Sequence, residues 1–202
     1  MSNIELIKQL RAETGAGLAD VKEALEISKD DLEAAKAYLT KKGIAKADKR
    51  ADREANQGVV GNYIHTTNKI GVLVEVNCET DFVAKSDDFQ AFARDVAMQI
   101  AAMSPEYISK DEIPESIKEE FAREVANDPQ FAGKPEKVIE NIVDSKMKTY
   151  AEETTLLGQK FFKDSSKTIE DMLKALSAKV GEAVKIRRFV RMEIGGGMNI
   201  KA

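Results

Sequence analysis

The chain has 202 residues, enough for one or two domains with a buried core. Its 31 Lys and Arg and 35 Asp and Glu give a net charge of -4, which argues against non-specific binding of duplex nucleic acid through a broad cationic surface. The single cysteine, Cys78, excludes an intrachain disulfide and fits a reducing compartment. The opening residues lack a signal-peptide pattern, and no run of about 18 apolar residues follows, so we expect a cytoplasmic protein without a membrane segment.

Residues suited to nucleophilic catalysis are scarce. The chain holds one histidine, His65, and one cysteine, Cys78, and a nucleophile needs an adjacent base. In the hairpin predicted below, His65 lies opposite Ile70 and Cys78 lies near Gln57, which separates the two by about eight strand residues, or about 26 Å. We therefore predict no catalytic dyad, no metal site and no cofactor. The expected roles are a strand residue for His65 and a small buried hydrophobic residue for Cys78.

Residues 1–43 have the apolar spacing of three short helices. The stripes are Ile4, Ile7 and Leu10, then Leu18, Val21 and Leu25, then Leu32, Ala35 and Leu39. The segment Gly-Ala-Gly at 15–17 separates the first two helices, Ser28 is positioned to cap the third, and Gly43 follows two lysines as a helix stop. Because the stripes can bury one another, the pattern predicts a compact three-helix module.

Residues 44–56 are rich in alanine and charge, with no large apolar residue after Ile44. Such a segment forms either a solvated helix or a mobile tether between domains. Basic residues outnumber acidic ones over 41–55, which leaves RNA contact open, although no aromatic side chain is interleaved for base stacking.

From Gly58 the pattern changes to that of β-strands. Apolar and β-branched residues over 59–64 and 70–76 flank a turn at Thr67 and Asn68, which predicts a hairpin. A third strand over 184–193 ends at the glycine run Gly195, Gly196 and Gly197. Three strands form the smallest sheet expected to be stable.

Helices are predicted between the second and third strands. One carries a long apolar stripe that starts at Phe89, Pro114 opens a second that stops at Asp128, and Pro135 opens a third. Residues 155–165 are predicted to be a loop, and a last helix follows with Ile169, Met172, Leu173 and Leu176. The pattern predicts an α+β fold in which a three-stranded antiparallel sheet packs with helices.

The segment NCETDFVAKS lies between the second strand and the long helix. In one interpretation, Thr80 or Ser86 caps a helix while Phe82 and Val83 lie in the core. In the other, a helical turn points Asp81 and Phe82 in different directions, so that the aromatic ring projects as a rigid anchor for a protein interface. The spacing alone leaves both interpretations open.

Several segments, taken in order, resemble bacterial translation elongation factor Ts. They are RAETGAGLADVKEAL at 11–25, KG at 42–43, GVVG at 58–61, EVNCETDFVA at 75–84 and LGQKFFKD at 157–164. The resemblance spans nearly the whole chain, and Thr-Asp-Phe-Val after an apolar strand is its most specific part. Members of this family are nucleotide exchange factors for elongation factor Tu, the GTPase that brings aminoacyl-tRNA to the ribosome.

The resemblance implies a ubiquitin-associated-like module at 1–44, a charged linker at 45–56 and an exchange and dimerisation core at 57–202. In the family, one tetrapeptide dislodges the magnesium ion of the partner, and its aromatic ring wedges between partner helices; the matching residues are Thr80, Asp81, Phe82 and Val83. The amino-terminal module holds the same partner domain, with further contacts expected from Arg11, Thr14, Gly15 and Leu18.

We therefore expect a non-enzymatic guanine nucleotide exchange factor that binds elongation factor Tu in its GDP-bound and nucleotide-free states and requires no nucleic acid. Longer members carry two sheets, whereas the strand count here gives one sheet with an exposed face. A homodimer is therefore expected, as in short members. The alternative is a ribosome- or RNA-associated protein that uses residues 41–53 and the basic final strand, with steeply salt-dependent RNA affinity.

Overall fold

The computed structural model describes residues 3–196 and 198–201. Four residues lie outside the described residues. Met1 and Ser2 belong to the predicted amino-terminal module, Gly197 to the predicted end of the third strand, and Ala202 to the predicted core domain. The helices are α1 Asn3–Thr14, α2 Leu18–Ser28, α3 Leu32–Asp48, α4 Asp81–Ala84, α5 Asp87–Met103, α6 Glu115–Asn127, α7 Glu136–Thr154 and α8 Ile169–Val180. The strands are β1 Gln57–Ile64, β2 Ile70–Cys78, β3 Lys160–Phe161, β4 Asp164–Thr168, β5 Lys185–Glu193 and β6 Met198–Lys201.

The first three helices bury a small core of their own, as predicted. Its members are Leu6, Leu10, Val21, Ala24, Leu25, Ala35 and Leu39. The predicted stripe of α1 is partly wrong, because Leu6 is buried while Ile4 is 65% exposed. Leu18, at the start of α2, is also exposed rather than part of the core. The likeness of this module to ubiquitin-associated domains stays a prediction.

Two predicted helix boundaries are wrong. Asp31, not Ser28, caps α3, since its carboxylate accepts a hydrogen bond from the Ala34 amide at 2.9 Å. Gly43 does not end α3, which continues to Asp48 and so includes the first residues of the predicted linker. The glycine instead permits close packing, because a Cβ there would lie 2.9 Å from the Cβ of Ala178 in α8.

The main sheet has four antiparallel strands in the order β1-β2-β5-β6, so the three-stranded prediction is wrong. The additional strand, β6, pairs with β5 so that Val190 lies opposite Ile200. The predicted hairpin is confirmed: β1 pairs with β2, and Asn68 takes the left-handed turn conformation at φ 54°. Helices and an antiparallel sheet together confirm the α+β class.

Helix α5 covers one face of this sheet and forms most of the main core. Its buried residues Phe89, Phe92, Val96 and Ile100 pack with the inward residues of the strands, among them Val72, Val74, Val76, Ile186 and Phe189. Gly61 in β1 allows the helix to lie this close, because a Cβ there would approach the carbonyl oxygen of Ala93 to 2.7 Å.

No helix in the described part of the chain covers the opposite face of the sheet. Alternate residues of all four strands place apolar side chains there, each between 50% and 62% exposed: Val60, Ile64, Leu73, Met192, Met198 and Ile200. The prediction that helices would cover one face and leave the other open is therefore confirmed.

A second, two-stranded sheet of β3 and β4 occupies part of the predicted 155–165 loop, so that prediction is wrong, as is the expectation of only one sheet. Buried Gln99 of α5 fixes this hairpin. Its Oε1 accepts from the Phe162 amide at 3.0 Å, and its Nε2 donates to the Lys160 carbonyl at 3.1 Å. The pairing thus depends on a side chain about sixty residues away in the chain, which local periodicity does not record.

The fit of α5 on β1 can be tested by adding one methyl group. We expect Gly61→Ala to lower the free energy of unfolding by about 1–3 kcal/mol, the usual result of overpacking a dense interior. The measurement is guanidinium chloride unfolding followed by circular dichroism.

Gly196→Ala is the matched control, because the nearest atom to its new Cβ lies 3.4 Å away, on Glu193. This change should stay within about 0.5 kcal/mol of the parent protein. Equal unfolding midpoints for the two variants would contradict the close approach of α5 to β1.

Candidate functional site

The segment matched by the Thr-Asp-Phe-Val signature forms the single turn of helix α4, between β2 and α5. Thr80 is its N-cap and accepts a hydrogen bond from the Val83 amide at 3.3 Å. Ser86 is the N-cap of α5, with its hydroxyl oxygen 3.4 Å from the Phe89 amide nitrogen. Both capping roles considered for this segment are therefore present.

The two apolar side chains of α4 have opposite environments. Phe82 is 82% exposed, whereas its neighbour Val83 is 7% exposed and joins the main core. The interpretation that placed both in the core is wrong for the phenylalanine and right for the valine. An exposed aromatic ring beside a buried anchor is the arrangement expected of a protein-binding projection.

Asp81 provides a negative charge next to the ring. Its Oδ2 lies 2.7 Å from the Nζ of Lys85, one turn further along, and both side chains are largely exposed. The hydrogen bond and charge of Lys85 lower the pKa of the Asp81 carboxyl. An aspartate is ionised at neutral pH, so Asp81 carries a negative charge in the same helical turn as the exposed ring.

Two carboxylates connect the approach to α4 with the segment after α8. Glu182 Oε2 accepts from the amides of Glu79 and Thr80 at 3.1 and 3.0 Å, and its Oε1 accepts from the Thr80 hydroxyl at 2.7 Å. In return, Glu79 Oε1 accepts from the Ala183 amide at 2.7 Å and lies 3.4 Å from Arg53. The Ala183 hydrogen bond lowers the pKa of Glu79.

Sequence reasoning missed Glu182, because its partner Thr80 is 102 positions away in the chain. The local sequence indicates only that a helix ends just before Glu182. Gly181 follows the apolar stripe of α8 and takes the left-handed conformation that ends the helix, at φ 77°.

The amino-terminal residues of the predicted site lie around the end of α1. Arg11 and Leu18 are exposed, and the Thr14 hydroxyl donates to the Leu10 carbonyl at 2.5 Å. Gly15 has φ 66° and lies against α8, where a Cβ would approach Cγ of Lys179 to 3.1 Å. Of these four residues, the structure places Gly15 directly against α8.

Comparison with known proteins shows the family to which the chain belongs. Residues 19–196 match the family described as Elongation factor TS. The chain belongs to the elongation factor Ts family. Elongation factor Ts of Carboxydothermus hydrogenoformans is 46% identical over 198 residues, which cover 98% of this chain and 91% of that protein. For Thermosipho melanesiensis the identity is also 46%, over 96% of this chain and all of that protein.

Elongation factor Ts of Geobacter sulfurreducens is likewise 46% identical, over 96% of this chain and 90% of that protein. These findings confirm the resemblance predicted from the motifs. Membership in the elongation factor Ts family implies a role in translation elongation.

The pairing of β1 with β2 places the single histidine far from the single cysteine, as predicted. The His65 amide donates to the Ile70 carbonyl at 2.9 Å, and Cys78 lies opposite Gln57. They therefore lie at opposite ends of the β1–β2 hairpin.

Among the described residues, no group of three or more His, Cys, Asp and Glu is placed to hold a metal ion. No described helix is both long and apolar enough to cross a membrane.

Many basic residues proposed for RNA contact have acidic partners within the fold. The pairs are Lys42 with Asp20 and Glu23, Lys46 with Asp20, Arg53 with Glu79, Arg188 with Glu75, and Arg191 with Glu193. Because these carboxylates lower the positive potential available to phosphates, the pairs weigh against the RNA-binding alternative.

Cys78 supports the site but should react slowly. Its side chain is fully buried, its thiol donates to the Thr80 carbonyl at 3.1 Å, and burial raises its pKa. We expect iodoacetamide at pH 8 to alkylate the native protein about a hundredfold more slowly than the guanidinium-unfolded protein, because the thiolate is the reactive form. Mass spectrometry measures both rates, and similar rates would show that the end of β2 opens readily.

Proposed function

We propose that this chain promotes GDP release from elongation factor Tu. The carrying observation is the 82% exposed ring of Phe82 on a turn whose next residue, Val83, is buried. Family membership supplies the identity of the partner, and the projecting ring supplies a means of displacing partner elements. In this proposal the chain performs no bond-making of its own, needs no cofactor and works in the cytoplasm.

The proposed mechanism is differential binding. A GTPase retains GDP through backbone amides of its phosphate loop and a magnesium ion that neutralises the phosphates. A protein that binds the nucleotide-free, displaced conformation more tightly than the GDP-bound one must weaken GDP binding by the same factor. The ring of Phe82 would displace elements around the metal, and the charge of Asp81 would disfavour their return.

Thr80 and Val83 would not contact the partner themselves. They would hold the turn that carries the ring, Thr80 as its cap and Val83 as its buried anchor. Further partner contacts are proposed at the amino-terminal module, from the exposed Arg11 and Leu18 and the adjoining Thr14 and Gly15. Two separate areas would then bind the partner, so that the module supplies affinity while the ring supplies displacement.

Removing the ring tests the wedge directly. We expect Phe82→Ala to slow release of labelled GDP from elongation factor Tu about thirtyfold, which corresponds to about 2 kcal/mol for loss of an interface anchor. Stopped-flow fluorescence of a labelled nucleotide measures the rate. If magnesium displacement is the cause, the difference between parent and variant should shrink when EDTA removes the metal beforehand.

The matched control is Phe131→Ala, which removes a ring from the connection between α6 and α7. It should leave GDP release close to that of the parent protein. The proposal is wrong if Phe82→Ala releases GDP at the parent rate, or if the two alanine variants are equally slow.

We further propose that the open face of the sheet pairs with the same face of a second copy. Six exposed apolar side chains lie on this face in adjacent rows, with Leu73 opposite Val190 and Val190 opposite Ile200. On the same face, Glu75 of β2 and Arg188 of β5 are opposite each other in the two central strands and pair at 2.6 Å, so their charges neutralise each other. A face that exposes apolar side chains on all four strands and carries paired charges suits an isologous dimer, in which the same patch is used twice.

A charge at the centre of this face should separate the copies. We expect the parent protein to sediment as a dimer at micromolar concentration and Leu73→Glu as a monomer, because an isologous interface would bury the new carboxylate twice. Ile27→Glu, at an exposed apolar position of α2, should remain dimeric. A parent protein that is only monomeric under these conditions would refute the proposed dimer.

A further inference from the structure

Helix α4 is too short to be stable on its own. It has four residues, Asp81–Ala84, and an isolated single turn is unstable because nucleation fixes several residues for one hydrogen bond. The orientation of the Phe82 ring must therefore be set by what α4 is attached to. Burial of Val83 secures its carboxyl-terminal side, and the amino-terminal side at Thr80 needs an anchor of its own.

Glu182 supplies contacts at that side. Its two carboxylate oxygens accept three hydrogen bonds, two from the backbone of Glu79 and Thr80 and one from the Thr80 hydroxyl, at 2.7–3.1 Å. The ladder between β2 and β5 ends at the pairing of Asn77 with Lys185. These hydrogen bonds therefore continue the connection between the two chain segments beyond the point where the sheet stops.

The backbone that carries Glu182 is itself fixed. Gly181 ends α8, with its amide donating to the Ser177 carbonyl at 3.0 Å. The hydroxyl of buried Ser177 donates to the carbonyl of Glu182 at 2.6 Å. The Ala183 amide donates to Glu79 at 2.7 Å, so the two segments hold each other from both directions.

We infer that Glu182 is a positioning residue that holds Thr80, and through it the exposed ring of Phe82, in the orientation that enters the partner. The inference rests on the proposed function of Phe82 in nucleotide exchange. A ring that acts as a wedge is effective only when its support does not yield, since an anchor that must be ordered during binding loses affinity to the entropy of ordering.

The functional test is a double-mutant cycle. We expect Glu182→Ala to slow GDP release about tenfold, equivalent to about 1.4 kcal/mol. If Glu182 acts through Phe82, the double variant should be no slower than Phe82→Ala alone, about thirtyfold below the parent, rather than about three-hundredfold as for independent effects. Additive losses would overturn the inference.

The structural test does not depend on activity. Hydrogen exchange resolved by mass spectrometry should show about tenfold faster exchange over residues 79–84 in Glu182→Ala, while residues 72–76 of β2 keep the protection of the parent. Glu140→Ala, which removes an exposed glutamate of α7, is the control and should change neither segment. Unchanged exchange over 79–84 in Glu182→Ala would overturn the inference.

Glu182→Gln guards against a general loss of folding. Its amide oxygen can still accept the two backbone hydrogen bonds, so this variant should recover at least about half of the lost rate; failure to recover would refute hydrogen bonding as the cause. If Phe82→Ala alone releases GDP at the parent rate, the proposed function is wrong, and hydrogen exchange then decides whether Glu182 holds α4.

Discussion

The reciprocal hydrogen bonding of Glu79 and Glu182 is the constraint on which the exposed site depends. An apolar ring in water gains nothing from its own surroundings, so its position must be determined by its neighbours in the chain. On one side the neighbour is Val83, which is buried in the core, and on the other it is Thr80, which Glu182 holds. Hydrophobic burial and charge-assisted hydrogen bonding thus act on the two ends of one helical turn.

Helix α8 relates this site to the amino-terminal module. Along its length it meets the module at Gly43, where Ala178 packs closely, and at Asp48, whose carboxylate lies 3.2 Å from Lys174. At its end it leads directly to Glu182. A three-helix module of this size has little core of its own, so docking on α8 stabilises it and also relates its exposed surface to α4 through one element. If both areas contact one partner, as proposed, this fixed relation favours their simultaneous binding.

Most features that depend on neighbouring residues were predictable from the sequence, although the cap of α3 was assigned three residues too early. Features that depend on distant residues were not predictable. The turn at Asn68 and the cap at Thr80 follow from local chemistry, and both are present. Gly43 carries the usual signal of a helix end, yet it serves close packing against α8, which lies far along the chain. Burial of Leu6 in place of Ile4 depends on where α2 and α3 lie, and the hydrogen bonds of Glu182 join residues about a hundred positions apart.

In the proposed function, the charge of Asp81 acts together with the exposed ring to displace elements of the partner. Lys85 pairs with Asp81 in the free chain, and both side chains are mostly exposed, so exchanging one partner for another involves little free energy. The carboxyl stays ionised at neutral pH with or without Lys85, because the ordinary pKa of an aspartate is already far below 7. Under the proposal, a negative charge held near the metal-binding region of the partner would compete with the partner's ligands for the cation or repel the phosphates that the cation neutralises. In the proposed mechanism the ring and the carboxylate would therefore act on the same ion, one by moving its ligands and the other by changing the local potential.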